Sequence, residues 1–178
     1  MTEVFPNIPP GIENLHLGLL RRLTDDLPEY LEEASQTPIS YAWRDEVNHR
    51  LLIASEEIRL EPLQEIWSVA RARLNFPALI IHWQDTEYSE GTDEDDADGQ
   101  DVTYQMILDL TLAHNDPERL TMIMDRYLLA LRACLSSGLV AGYRISPRSE
   151  ALVEAGELSS NTSILIRRAA LTVVAAEY

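Results

Sequence analysis

Leucine recurs every four positions near the start of the chain, at Leu15, Leu19, Leu23, Leu27 and Leu31, with Leu20 beside them. That spacing lays one apolar stripe along a helix over residues 12–35. Arg21, Arg22, Asp25, Asp26, Glu29, Glu32 and Glu33 mostly fall off the stripe. Pro28 has no backbone N–H and crowds the preceding turn. A break or kink is expected there, with Asp25 or Asp26 capping the second piece and Pro28 early in it. Beyond Thr37-Pro38, the alternation of Ile39, Tyr41 and Trp43 predicts a short strand. Residues 50–60 fit strand or helix equally. Leu63, Ile66, Trp67, Ala70 and Leu74 sit at helical spacing after Pro62, which predicts a helix over 61–74 ended by Asn75 and Pro77.

The second half is richer in strand signals. Residues 78–83 (ALIIHW) form a compact apolar run that suits a buried strand. Over 102–113, Val102, Tyr104, Met106, Leu108, Leu110 and Leu112 alternate with Thr103, Gln105, Ile107, Asp109, Thr111 and Ala113. Strict alternation means one buried and one more exposed face, as in antiparallel sheets. Asn115-Asp116-Pro117 then opens a helix, with either Asn115 or Asp116 as N-cap. Leu120, Ile123, Met124, Tyr127, Leu128, Leu131 and Leu135 give it one broad apolar face, and Gly138 is a stop signal. Residues 139–161 read as loop with a short strand near Tyr143–Ile145. Residues 162–178 read as a long strand, apolar on both faces after Arg168, as befits a central or interface-covered position. Strands in a row beside helices predict one α+β domain over 1–178, an antiparallel or mixed sheet with helices packed on it.

The segment between the strands 78–83 and 102–113 changes the picture. Residues 85–101 hold nine acids, including Glu90, Asp93, Glu94, Asp95, Asp96, Asp98 and Asp101. So charged and apolar-poor a segment reads as a long solvated tip on a β-hairpin. The whole chain has 178 residues, thirty acids and fourteen bases, for a formal charge of −16. That balance excludes a coat for a nucleic-acid backbone, which needs positive surface. All fourteen bases are arginine. Biased composition accounts for this; arginine also suits bidentate pairing with carboxylates at protein interfaces. Hydrophobic residues make up 46 % and charged residues 25 %, which is ordinary globular composition. No apolar run reaches the 18 residues of a membrane span. The start, Met1 to Pro10, has neither the basic nor the apolar part of a secretory signal. Cys134 is the only cysteine, so no internal disulfide framework exists and a reducing compartment is expected.

Catalytic chemistry finds little support. Cys134 lies inside the predicted helix as a small hydrophobe. There is no G-x-S-x-G elbow, no P-loop and no G-x-G-x-x-G. His16, His49, His82 and His114 make no helical metal pair. If the strands 78–83 and 102–113 pair, His82 and His114 become candidates to lie near each other. Glu94, Asp96, Asp98, Gly99 and Gln105 imitate a calcium loop, but they begin on Glu, end on Gln and are flanked by strands. An assembly or binding protein is expected rather than an enzyme. Besides Arg21-Arg22, Arg167-Arg168 is the notable basic pair; within a strand it puts one arginine on each face, either to guard an edge or to meet a neighbouring subunit.

The order of elements resembles the tail-terminator proteins of long-tailed bacteriophages, and more broadly their neck and tail-completion relatives. The similar parts are the leucine-striped opening helix to Leu27-Pro28, the strands FPALIIHW and VTYQMILDLTLAH, the helix DPERLTMIMDRYLLALRACL, and the closing strand SILIRRAALTVVAAEY. Residues 36–62 and 139–161 are poorly covered, and no diagnostic motif is present. The resemblance implies a cofactor-free homo-hexameric ring in the virion tail or neck, assembled in the host cytoplasm. Its partners would be the tail tube protein and the head-connector protein. DNA would only pass through its lumen, which is commonly negative in that family. The 85–101 segment departs from a minimal member. On this reading, Arg167 or Arg168 pairs with acids of the adjacent subunit. The alternatives are a neck adaptor or tail-completion protein, and an acidic DNA mimic or regulatory protein that binds a basic partner.

Overall fold

The computed structural model describes residues 11–36, 38–44, 51–56, 59–67, 76–90, 100–159 and 162–177. The element order is α1 (Gly11–Arg21), a π-helical turn (Arg22–Asp26), α2 (Leu27–Gln36), β1 (Ile39–Arg44), β2 (Leu51–Glu56), β3 (Glu65–Trp67), β4 (Ala78–Glu90), β5 (Gln100–His114), α3 (Pro117–Ser136), β6 (Leu139–Val140), β7 (Tyr143–Ser159) and β8 (Thr162–Glu177). The fold is α+β. One sheet is β1 paired with β2; the other has six strands in the order β3-β4-β5-β8-β7-β6. β3 runs parallel to β4, and every other pairing is antiparallel.

The opening rod does not break at Pro28. Leu27 closes a π turn by donating its N–H to the Arg22 carbonyl, with helical backbone angles on both sides. The expected cap is absent: the Asp26 carboxylate accepts from Arg22 Nη1 instead, at 2.7 Å. Two constraints explain the turn. A wider turn eases the clash of the Pro28 ring with the preceding carbonyl. It also corrects phase: each four-residue leucine step overshoots a 3.6-residue turn by about 40°. One widened turn rotates the later leucines back. All five stripe leucines are buried, none more than 2 % exposed.

That stripe packs with α3 on the inward face of the sheet. Leu79 and Ile81 of β4, the even positions 104–112 of β5, and Ala169, Leu171, Val173 and Ala175 of β8 complete the core. The α3 start is as expected: the Asp116 side chain accepts from the amides of Glu118 and Arg119. Gly138 follows the helix at φ +127°, a left-handed value that suits glycine. β6 and β7 join through Ala141 and Gly142, both at positive φ, as a two-residue type I′ hairpin requires.

Three expectations are corrected. Residues 65–67 are strand, not helix, and Gln64 N–H bonds the Pro77 carbonyl at 2.8 Å. Leu60 is buried and Leu63 and Ile66 pack against the core from this extended segment. Spacing of three satisfied a helix template, but residues 65–67 extend and pair with the otherwise open edge of β4 at residues 78–80. Residues 68–74 of that predicted helix lie outside the described residues. Residues 146–159 are strand, not loop: β7 runs for 17 residues along β8. Three register shifts, one beside Pro147 and one spanning Gly156, absorb the residues that signalled loop. Residues 85–90 and 100–101, expected within the acidic tip, are strand backbone, and residues 91–99 lie outside the described residues. The undecided residues 51–56 are also strand.

Burial separates neighbouring leucines on one helix. Leu19→Ala should cost about 2–5 kcal/mol. Leu17→Ala, at a site 53 % exposed, should stay within about 0.5 kcal/mol. Urea unfolding followed by circular dichroism measures both.

Candidate interface surfaces

β8 puts its two arginines on opposite faces, as strand alternation demands. Arg167 points to the helical layer, where its Nη1 donates to Thr121 Oγ1 of α3. Arg168 points to the other face. Its Nε donates to Asp109 Oδ1 at 3.2 Å and its Nη2 to Asp109 Oδ2, a bidentate ion pair across β5 and β8. The hydrogen bond from Arg168 to Asp109 and the carboxylate charge push the guanidinium pKa up, against a smaller opposing effect of burial. His82 joins from β4, with Nε2 3.8 Å from Asp109 Oδ2. Both arginines therefore have partners within their own chain. The Arg168 side chain keeps 45 % of its surface exposed and the Arg167 residue is half-buried.

This outward sheet face is drier than the alternation implied. Asp109 is 6 % and Thr111 5 % exposed, and Ile80 and Val174 are buried too. β5 lies between β4 and β8, so short outward side chains are shadowed by longer neighbours such as Arg168. Asp109 was legible only as a polar position on the less buried face; nothing in its local sequence marks the Arg168 pairing, which comes from a strand 59 residues away.

A second feature sits where β5 gives way to α3. A cleft of about 350 Å³ opens between residues 59–61, the Phe76-Pro77 turn, the end of β5 and the first turns of α3. Leu112, Leu120, Ile123 and Tyr127 supply apolar and aromatic wall; Arg59, Glu61, His114 and Arg119 supply charge and polarity. Tyr127 donates its hydroxyl to the Glu61 carbonyl. Burial first, and the nearby Glu61 charge second, push its phenol pKa well up. Asp116 N–H donates to His114 Nδ1 at 2.9 Å, which puts the neutral ring's proton on Nε2. No local pattern marks this cleft: Arg59 lies in the undecided stretch 50–60 and Glu61 at the start of the expected helix 61–74.

The remaining expected residues scatter. Glu90 ends β4 opposite Gln100, and Asp101 pairs with Ser89 in β5. Asp93, Glu94, Asp95, Asp96 and Asp98 lie outside the described residues. His82 is opposite Ile107, seven residues short of His114 and about 23 Å from it along the strand, so the two do not meet. Cys134 is fully buried, and burial pushes its thiol up to about 11 despite the nearby Arg22. It belongs to a clasp: Arg22 donates to the carbonyls of Cys134 (3.2 Å) and Ser137 (2.6 Å), closing the end of α3 against the π turn. Among the described residues, no group of three or more His, Cys, Asp or Glu is placed to hold a metal. No helix among them is long and apolar enough to cross a membrane. No protein-family model and no curated protein matches the chain.

Two measurements probe these surfaces. A double-mutant cycle of Asp109→Ala and Arg168→Ala should give a coupling of about 1–2 kcal/mol, held down by solvent at the half-exposed arginine. The raised thiol pKa has a definite sign. Above the ordinary value of 9.0, the unfolded thiol releases a proton that folded Cys134 keeps until about 11. Stability should therefore fall as pH rises through that window. Cys134→Ala should flatten part of the loss in urea titrations at pH values across it.

Proposed function

We propose that this chain is a structural subunit of a self-assembling ring, similar to phage tail terminators, that caps a tail tube and joins it to the head connector. The observation that carries this reading is the open edge of β7. β6 pairs only with Tyr143 and Arg144. From Ile145 to Ser159, β7 has β8 on one side and, among the described residues, no strand on the other. Unpaired edges invite a strand or a packed element from a neighbour. Pro147 and the three register shifts break this edge into short stretches. That disfavours indiscriminate strand addition and suits one specified neighbour. Among the described residues, the core-packed helices lie on the inward sheet face, opposite the one that carries Asp109 and the half-exposed Arg168. The charge of −16 is compatible with a lumen that DNA passes without sticking.

In this reading, no reaction is catalysed. The chain meets copies of itself, a tail tube protein and a connector protein, in the tail or neck of a virion. Native mass spectrometry with negative-stain imaging tests it. The expected result is a ring of six 20.2 kDa chains, about 121 kDa, with a central hole, formed alone or on the ends of purified tail tubes. A chain that stays monomeric in both settings overturns the proposal and favours the acidic-mimic alternative, to be pursued with basic proteins as bait.

A further inference from the structure

We propose that the open edge of β4 in one copy of this chain pairs with the open edge of β7 in the next, through residues 81–86 of one and 145–150 of the other. The joint rests on the self-assembly reading and names its contact. Three observations carry it.

The first is where the sheet is open. β3 covers residues 78–80 of β4, and β6 covers residues 143–144 of β7. Beyond these blocks, residues 81–90 and 145–159 have, among the described residues, no strand on their outer side. An open edge presents unpaired N–H and C=O groups to a neighbour. The two blocks sit at opposite ends of the sheet. The last row that β3 blocks is Ile80–Asp109–Ala170–Ala151, and the first that β6 blocks is Glu87–Thr103–Ala176–Arg144. Between them lie five rows in which both edges are open, from Ile81 and Glu150 at one end to Thr86 and Ile145 at the other. A second copy that continues the sheet with its rows level meets β7 over these five rows. It is stopped by β6 at one end and by its own β3 at the other.

The second observation is shape. Each window holds six residues in five rows, because each contains one extra residue. The register shifts fall between Trp83 and Asp85 on β4, and between Pro147 and Ser149 on β7. Trp83 and Pro147 share one row, through Met106 and Val173. A bulge bends its strand and sharpens the local twist. Two edges bent beside the same row suit each other, whereas a straight strand loses pairing at the bulge and at Pro147, which has no N–H.

The third is direction and charge. β4, β5, β8 and β7 alternate in direction, so β4 and β7 run antiparallel. A level copy therefore meets β7 in the antiparallel sense, the slightly more stable of the two. No row of the joint sets like charges opposite each other: Asp85 falls opposite Ser146, and Glu150 opposite Ile81. Two β7 edges meeting each other would instead bring together two sets of Glu150, Glu154 and Glu157. A joint between unlike edges leaves one of each free on every pair, so it repeats until a ring closes.

Cysteine cross-linking tests the joint. Gln84→Cys and Arg148→Cys place thiols at the exposed bulge positions of the two edges, while native Cys134 is buried. The two variants, one carrying a size tag, are mixed, assembled alone or on tail-tube ends, and treated with a short bis-maleimide. The mixed cross-link should exceed that of either variant with itself by tenfold or more, and the unsubstituted chain should give none. Labelling of the free chains with a monofunctional maleimide checks that both thiols are reachable, and circular dichroism that both variants are folded. Self-cross-linking of Arg148→Cys equal to the mixed product, or no mixed product in assembled material, overturns the proposal. The two readings fail separately: hexamers without the mixed cross-link keep the ring and remove this joint, whereas mixed cross-links in open chains keep the joint and remove the ring. Chains that never associate remove both.

Discussion

The pairing of β5 with β8 is the constraint on which the rest of the molecule depends. It joins residues 103–114 to residues 165–176 across the whole length of α3. β4 hangs on one side of this pair and β7 on the other, so the two long hairpins become one sheet only through it. Its inward face offers Met106, Leu108 and Leu110 against Ala169, Leu171 and Val173. Met106 opposite Val173, Leu108 opposite Leu171 and Leu110 opposite Ala169 make one apolar surface on which α3 and the leucine rod lie. Without that register, neither helix would have a continuous apolar floor.

The same register decides the polar chemistry. Arg168 sits opposite Thr111 and one diagonal step from Asp109, close enough for a bidentate pair. Slippage by one residue would send Arg168 into the core and Arg167 out to solvent. The ion pair and the Arg167–Thr121 bond thus report one correct alignment from both faces of β8. A half-exposed pair contributes little stability by itself. Its larger effect is to penalise the alternative register, in which Asp109 would stay buried without its partner.

At the other end of the helical layer, Arg22 links local irregularity to tertiary packing. The π turn widens the rod where Pro28 requires relief, and Arg22 uses that turn to reach the last carbonyls of α3. Arg126 makes a comparable link, donating to the carbonyls of Ala34 in the last turn of α2 and of Pro38 just beyond it. An arginine-only chain thus spends its guanidinium groups on helix ends as well as on carboxylates. The sheet beneath is longer than this layer. α3 spans about 30 Å, whereas β7 and β8 reach about 50 Å. The helices therefore cannot cover the full length of the long strands.

Local pattern alone determined the elements whose period is strong: the leucine rod, the strand 102–113, the Asp116-capped helix and the closing strand. In each, side-chain periodicity and capping chemistry act within a few residues, so the information is local. Arg167 and Arg168 were also legible as an opposite-face pair, because alternation along a strand is local. Tertiary structure alone decided the rest. Residues 65–67 became strand because the β4 edge accepted them, and 146–159 became strand because β8 offered a ladder that tolerated Pro147 and Gly156 through bulges. Asp109 met Arg168, and Arg59 met His114 and Arg119, through pairings between distant segments. Those pairings depend on register and crossover, and no short window of residues encodes either.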